Sequence, residues 1–204
     1  IYLSQLNQAH CMQVGVEHWR RNSPRCMGAL YWQLNDFWPV ASWSSIEFTG
    51  RWRALHHVAR RFFAPAVVSA QLVGDETTII GNYRRSTVHA VNLYTVYDAP
   101  APATGVLRWD VFHLNGRVLQ TGRKAVVLRH GESVHQHTIE LEKLIARHAR
   151  ESIYVRIALE VAHERVSEDT VFLAAPRFLD LPKAKTAVSF RQISPKEVTI
   201  RFRS

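Results

Sequence analysis

The sequence predicts a mixed fold: a helix–strand–loop–helix layer over residues 1–64, then a β-sandwich over 65–180, then the opening of a further β unit over 181–204. Three observations predict it. Apolar residues recur at helical spacing near the amino terminus. The hydrophobic period changes to two from residue 66. Short alternating runs then follow one another at the intervals of a sandwich.

Each element has its own grounds. Tyr2, Leu6, Ala9, Met12, Val16 and Trp19 make one stripe on a helix over 2–21, which Asn22-Ser23-Pro24 ends. Residues 26–34 are almost continuously apolar, as in a strand buried on both faces of a parallel sheet. Residues 35–50 are an aromatic-rich loop, and 51–63 return to helical period with Trp52, Leu55, Ala59 and Phe62 on one side, stopped by Pro65. Helix, strand, loop and helix are a slice of an α/β layer, which cannot close a core alone. Beyond it, runs at 66–73, 77–83, 86–97, 105–114, 117–121, 124–129, 134–140 and 152–162 read as strands, with a short helix over 140–149 and a loop over 98–104. Asn115-Gly116 predicts a two-residue hairpin turn. Residues 187–193 and 198–202 form a hairpin around Ser194-Pro195, too little to be stable by itself.

Composition bounds the function. The chain has 204 residues, 47% hydrophobic and 21% charged, the balance of a folded globular protein. No apolar run reaches the roughly 18 residues that span a bilayer, so no membrane partner is expected. A formal net charge of +9 invites a nucleic-acid reading. The basic residues are scattered pairs such as Arg20-Arg21 and Arg60-Arg61, with no binding signature beside them, so no nucleic-acid partner is expected. Cys11 and Cys26 are read as free thiols, and the pairs His135/His137 and His56-His57 lack a third ligand, so neither metal nor cofactor is expected. The chain opens in helical sequence without Met or leader, as a piece of a longer polypeptide would. The compartment is left open.

The chemistry concentrates between Gly28 and Ser45. In α/β barrels functional residues lie at carboxy-terminal strand ends and in the loops after them, which is where Trp32, Asn35 and Asp36 fall. An aromatic plate suits the C–H face of a pyranose, and amides or carboxylates suit its hydroxyl rim. The residues alone leave another reading open, because tryptophan is well buried in most folds.

The run Tyr31-Trp-Gln-Leu-Asn-Asp36, followed by Trp38-Pro39 and Trp43-Ser44-Ser45 and continuing through Gly50-Arg51-Trp52-Arg53-Ala54-Leu55-His56 to Pro65, resembles the end of the catalytic barrel in β-mannosidases of glycoside hydrolase family 2. Residues 66–180 resemble that family's next sandwich more weakly, and 181–204 the start of its terminal one. The resemblance implies the last βα segment of a (β/α)8 TIM barrel over 1–64, an immunoglobulin-like β-sandwich over 65–180, and the beginning of a terminal β-sandwich over 181–204. It implies a retaining exo-β-mannosidase acting on terminal β-mannose, with a carbohydrate substrate and the missing amino-terminal part of the same enzyme as partners. Retaining glycosidases use two carboxylates about 5–5.5 Å apart. The resemblance puts both glutamates on earlier barrel strands, so this chain is expected to hold no catalytic residue and to be inactive by itself. Glu17, expected on a solvated helix face, and Glu47, in the loop, do not replace them. By the same resemblance Trp32 stacks under the terminal sugar, Asn35 and Asp36 bond hydroxyls or brace the loop, and Trp38 and Trp43 pack the loop.

Other readings are a related family 2 hydrolase, an endo-β-mannosidase or exo-glucosaminidase, and a non-catalytic carbohydrate-binding sandwich. The last would show Tyr94, Tyr97 and Trp109 as an exposed platform on one sheet face, although their alternation fits core packing equally well.

Overall fold

The computed structural model describes residues 1–75, 78–80, 83–183, 187–195 and 197–203. The chain begins with α1 (Tyr2–Arg21) and, after a long irregular segment, α2 (Ala54–Phe62). The two helices pack together over a small core of Ala9, Val16, Leu55, Ala59 and Phe62. Only the middle of the expected α1 stripe is buried; Tyr2, Leu6 and Trp19 stand in solvent.

Residues 26–34 are not a strand, contrary to expectation. Ala29 and Tyr31 pack against the helices, whereas Met27, Leu30, Trp32 and Leu34 point outward, Leu30 at 96% exposure. A doubly buried strand needs a hydrogen-bonded neighbour and cover on its second face. No described strand supplies either, and the ladder contact nearby is a single parallel bridge between Asn35 and Ile46. A barrel is accordingly not formed by the described residues. The second helix starts at Ala54, three residues later than expected, because Trp52 bridges Ile46 and Arg53 is extended.

The rest is a sandwich. Its strands are β1 (Ala66–Val73), the short β2 (Thr78–Ile80) and β3 (Tyr83–Arg85), β4 (Ala90–Tyr97), β5 (Ala103–His113), β6 (Val118–Leu128) and β7 (Glu132–Glu140). After α3 (Glu142–His148) come β8 (Ile153–Val161) and β9 (Glu164–Phe172). One antiparallel sheet has the order β1-β4-β7 and the other β6-β5-β8-β9, while β2 pairs with β3. Leu93 and Ile139 from the first sheet meet Leu107, Val111, Val155, Ile157 and Leu159 from the second in one core. Each such side chain, fully buried, contributes about 1.5–3 kcal/mol. Two packed antiparallel sheets of three and four strands make an immunoglobulin-like domain.

Three details depart from expectation, in β6, in β9 and at the Asn115-Gly116 turn. The runs at 117–121 and 124–129 are one strand, β6. The run at 77–83 falls partly outside the described residues. β9 has no counterpart among the expected strands: it is an edge strand rich in Glu, Asp, Ser and Arg, and its side chains alternate only between exposed and half-buried. The Asn115-Gly116 hairpin is present but is not the two-residue type. His113 and Gly116 close the turn around Leu114 and Asn115, and Gly116, at φ 89°, adopts the left-handed conformation that follows a type I turn in three-residue hairpins. The last pair, β10 (Ala187–Ser194) and β11 (Glu197–Arg203), is an antiparallel hairpin whose Val188, Phe190, Ile200 and Phe202 are all exposed.

The helical layer is fastened to the first sheet. Arg20 donates to the carbonyls of Phe62 and Ala64 and pairs with Asp98. Arg21 donates to Ser69 Oγ at 2.6 Å and to the Ala70 carbonyl at 3.2 Å. Glu17 is 8% exposed, so the solvated position expected for it is wrong: its helix face lies on the sheet, and it accepts from Ser69 and from Gln13. The same Gln13 amide reaches Asp169 on β9 at 3.2 Å. Burial pushes both the Glu17 and the Asp169 carboxyls above the usual range.

Candidate functional site

The loop between residues 31 and 53 carries the residues singled out by sequence. Its backbone is fixed by a short parallel pairing: Ser45 N donates to the Gln33 carbonyl at 3.0 Å, Ile46 N to Leu34 at 2.8 Å, and Asp36 N to Ile46 at 3.0 Å. Ser45 Oγ is a second fastening, 2.9 Å from the Leu34 carbonyl and 3.0 Å from both Tyr31 Oη and His56 Nδ1. The loop is therefore tied to α2 and held as a shaped surface.

Trp32 stands out from that surface at 71% exposure, and the peptide joining it to Gln33 is cis. Asn35 is exposed; its amide nitrogen reaches the Asp36 carbonyl at 3.3 Å, and its amide oxygen has no partner among the described residues. Asp36 differs from both. It is buried, accepts from Ser42 Oγ at 2.6 Å and is paired with Arg53 Nη2 at 2.7 Å. The Ser42 hydroxyl holds its carboxyl below the usual range, with the Ser44 hydroxyl and Arg53 adding to the effect and burial opposing it. Asp36 is thus an ionised anchor inside the loop and is unsuited to donate a proton.

Arg53 is the residue that sequence reasoning missed. Its Nη1 lies 3.0 and 3.1 Å from the carbonyls of Ser42 and Ser44 and 3.2 and 3.0 Å from their hydroxyls, and Nη2 is 3.2 Å from the Val40 carbonyl. One side chain fills the middle of the loop. The usable signal was an arginine at a helix start following an Asp and a Ser-rich turn. Trp38 and Trp43, expected to pack the loop, are instead 57% and 59% exposed. The guanidinium does the bracing that aromatic packing was expected to do.

Glu47 accepts from Thr49 and faces Arg51 at 3.5 Å, which makes it part of a turn. No pair of free carboxylates stands beside Trp32 among the described residues. Trp32 thus presents an exposed aromatic face, and Asn35 an exposed amide, on one hydrogen-bonded loop. Two hollows of the surface, along β10–β11 and between α2 and β9, do not include Trp32. The proposed sandwich platform does not exist in the expected form: Tyr97 and Trp109 are buried in the core, and Tyr94 is half-buried beside His135.

Residues 89–177 match the family described as Mannosidase Ig/CBM-like domain. The β-mannosidase of Capra hircus is 50% identical over 72 residues, covering 32% of this chain and 8% of that protein. β-Mannosidase A of Aspergillus niger is 35% identical over 119 residues, covering 57% and 12%. The chain resembles β-mannosidases. The crystal structure of β-D-mannosidase from Dictyoglomus thermophilum superposes with a TM-score of 0.72 at 22% identity, over 99% of this chain and 23% of that one. An exo-chitosanase from Amycolatopsis orientalis follows the same fold with a TM-score of 0.62 at 13% identity, over 91% and 19%. This β-mannosidase-like chain therefore matches about a tenth of the length of those curated relatives.

Proposed function

We propose that the chain is the carboxy-terminal part of a retaining exo-β-mannosidase of glycoside hydrolase family 2, which removes terminal β-mannose from oligosaccharides or glycoproteins. In this reading residues 1–64 are the last βα segment of the (β/α)8 barrel, residues 65–180 the following sandwich, and residues 181–204 the start of another. Residues 26–34 become a strand once the preceding barrel strand pairs with them, and the outward Leu30 and Leu34 gain their cover there. The two glutamates belong to that missing part, so the chain supplies binding and no catalytic group. Trp32 stacks on the sugar face, Asn35 bonds a hydroxyl, and Asp36 contributes by fixing the loop.

The observation that carries this is a tryptophan held 71% exposed on a hydrogen-bonded loop, in a chain with identified relatives among β-mannosidases. Large exposed apolar surfaces mark binding grooves or contact sites, and the likeness to β-mannosidases is what assigns the Trp32 face to a sugar. The test is Trp32→Ala in the full-length protein, assayed on aryl β-mannoside. Lost positioning of the transition state should lower kcat/KM by about 100-fold. Unchanged kinetics would reject the assignment of Trp32. Faster cleavage of a β-glucosaminide than of the mannoside would move the enzyme to the exo-glucosaminidase class.

A further inference from the structure

Arg53 caps the start of α2 in an extended conformation, φ −85° and ψ 168°, and its side chain leaves the helix for the loop. There it faces a carboxylate, two hydroxyls and three main-chain carbonyls, all within 2.7–3.2 Å. The side chains of both Arg53 and Asp36 are nearly closed to solvent, at 12% and 2% exposure. Apolar packing offers no substitute, since Phe37, Trp38, Val40 and Trp43 all face outward. The shape of residues 36–44 is therefore set by charge and hydrogen bonds converging on one guanidinium. The four N–H groups of the two terminal nitrogens share these six acceptors, some of them as bifurcated bonds, whereas a lysine ammonium is a compact point charge on a flexible stem.

The ladder that holds Trp32 and Asn35 shares residues with this brace. Asp36 donates its backbone N–H to Ile46 and accepts Arg53 on its side chain, and Ser44 Oγ donates to the same Ile46 carbonyl at 3.2 Å. A loosened brace is felt as a loosened ladder at Asp36, next to Asn35, and through Ile46 at its other ladder partner Leu34, two residues from Trp32. The geometry points to Arg53 as the positioning residue of the sugar site: acting through Asp36 and the Ser42–Ser44 turn, it sets the attitude of the aromatic loop that continues from Trp32. This deepens the mannosidase reading and rests on it. Arg53 touches no sugar in this scheme.

The experiment compares Arg53→Met, Arg53→Lys and Trp32→Ala in the full-length protein, with kcat and KM on aryl β-mannoside normalised to folded enzyme, and amide exchange of Asp36 and Ile46 in the same protein. Arg53→Met should lower kcat by about 100-fold with a smaller change in KM, because positioning is felt most in the transition state. Arg53→Lys should recover only part of that loss, and both variants should speed exchange at Asp36 and Ile46. If Arg53→Met fails to fold, Ser42→Ala removes one arm of the brace and should shift kcat and exchange in the same direction by less. Trp32→Ala inactive with Arg53→Met at about wild-type kcat per folded molecule overturns the positioning role alone. Trp32→Ala at wild-type activity overturns the sugar site and this role with it. Unchanged exchange in Arg53→Met overturns the brace itself.

Discussion

Gly122 offers a place where a single methyl group can be weighed. It pairs with Trp109 across β5 and β6, and a β-carbon on it would lie 2.3 Å from Cε2 and Cζ2 of that indole and 2.6 Å from Nε1. Non-bonded carbons settle about 3.5–4.0 Å apart, so ring or strand must yield by more than about 1 Å. The ring has little freedom: Trp109 is 6% exposed and stacks on His137 with centroids 4.3 Å apart. Overpacking costs about 1–3 kcal/mol, and a ring confined on both sides belongs at the upper end. Replacing a glycine in a strand returns about 0.5–1 kcal/mol of chain entropy. Gly122→Ala should therefore lose about 2 kcal/mol, which for a chain of this size lowers Tm by about 4–8 °C. Calorimetry and denaturant melts of the chain measure it. In the double variant with Trp109→Leu most of the Gly122→Ala loss should vanish, because the smaller side chain vacates the space. A Gly122→Ala protein that melts with the parent, or losses that simply add in the double variant, would refute the close approach.

Two further outcomes follow from the helix–sheet junction. Glu17 and Asp169 bind protons more tightly when folded than when unfolded, so their contribution is full below the ordinary carboxyl range and is lost as pH rises through their raised folded values. Denaturant melts across pH 3–8 (about the carboxyl range and above it) should show this fall, and Glu17→Gln or Asp169→Asn should flatten it; slopes equal to the parent's would contradict the burial of the pair. Arg20→Ala removes a charged donor from two carbonyls and from Asp98, and hydrogen bonds to charged groups are worth about 1.5–3 kcal/mol. Amide exchange should rise in α2 and at the start of β1 before it rises in β5 or β8, and a uniform rise would argue against a local fastening.

How much was legible in the sequence depended on whether a residue's environment is written in its neighbours. Val155, Ile157 and Leu159 alternate with the less buried Tyr154, Arg156, Ala158 and Glu160, and β8 is where that pattern puts it. β9 escaped because an edge strand needs cover on neither its outer edge nor its outer face, so Glu164–Phe172 has no reason to alternate strongly. Residues 26–34 misled in the opposite way. A continuous apolar run states that something covers it and does not state what, and the described residues provide cover on one side only. A strand-end argument singled out Trp32, Asn35 and Asp36 together, yet the structure separates them: Trp32 and Asn35 are exposed, and Asp36 is buried against Arg53. That pairing joins residues 17 positions apart through a loop of no regular pattern, and nothing in local spacing announces it.

Arg20 and Arg21, adjacent in sequence, look like an ordinary basic helix end, yet one grips the turn between α2 and β1 and the other grips β1 itself. Rotation about the helix axis is blocked from two directions. The sandwich thus works as a keel for the helical layer: its first sheet determines how steadily α1 is held, and damage deep in its core should register as a wavering of the loop that leans on that helix.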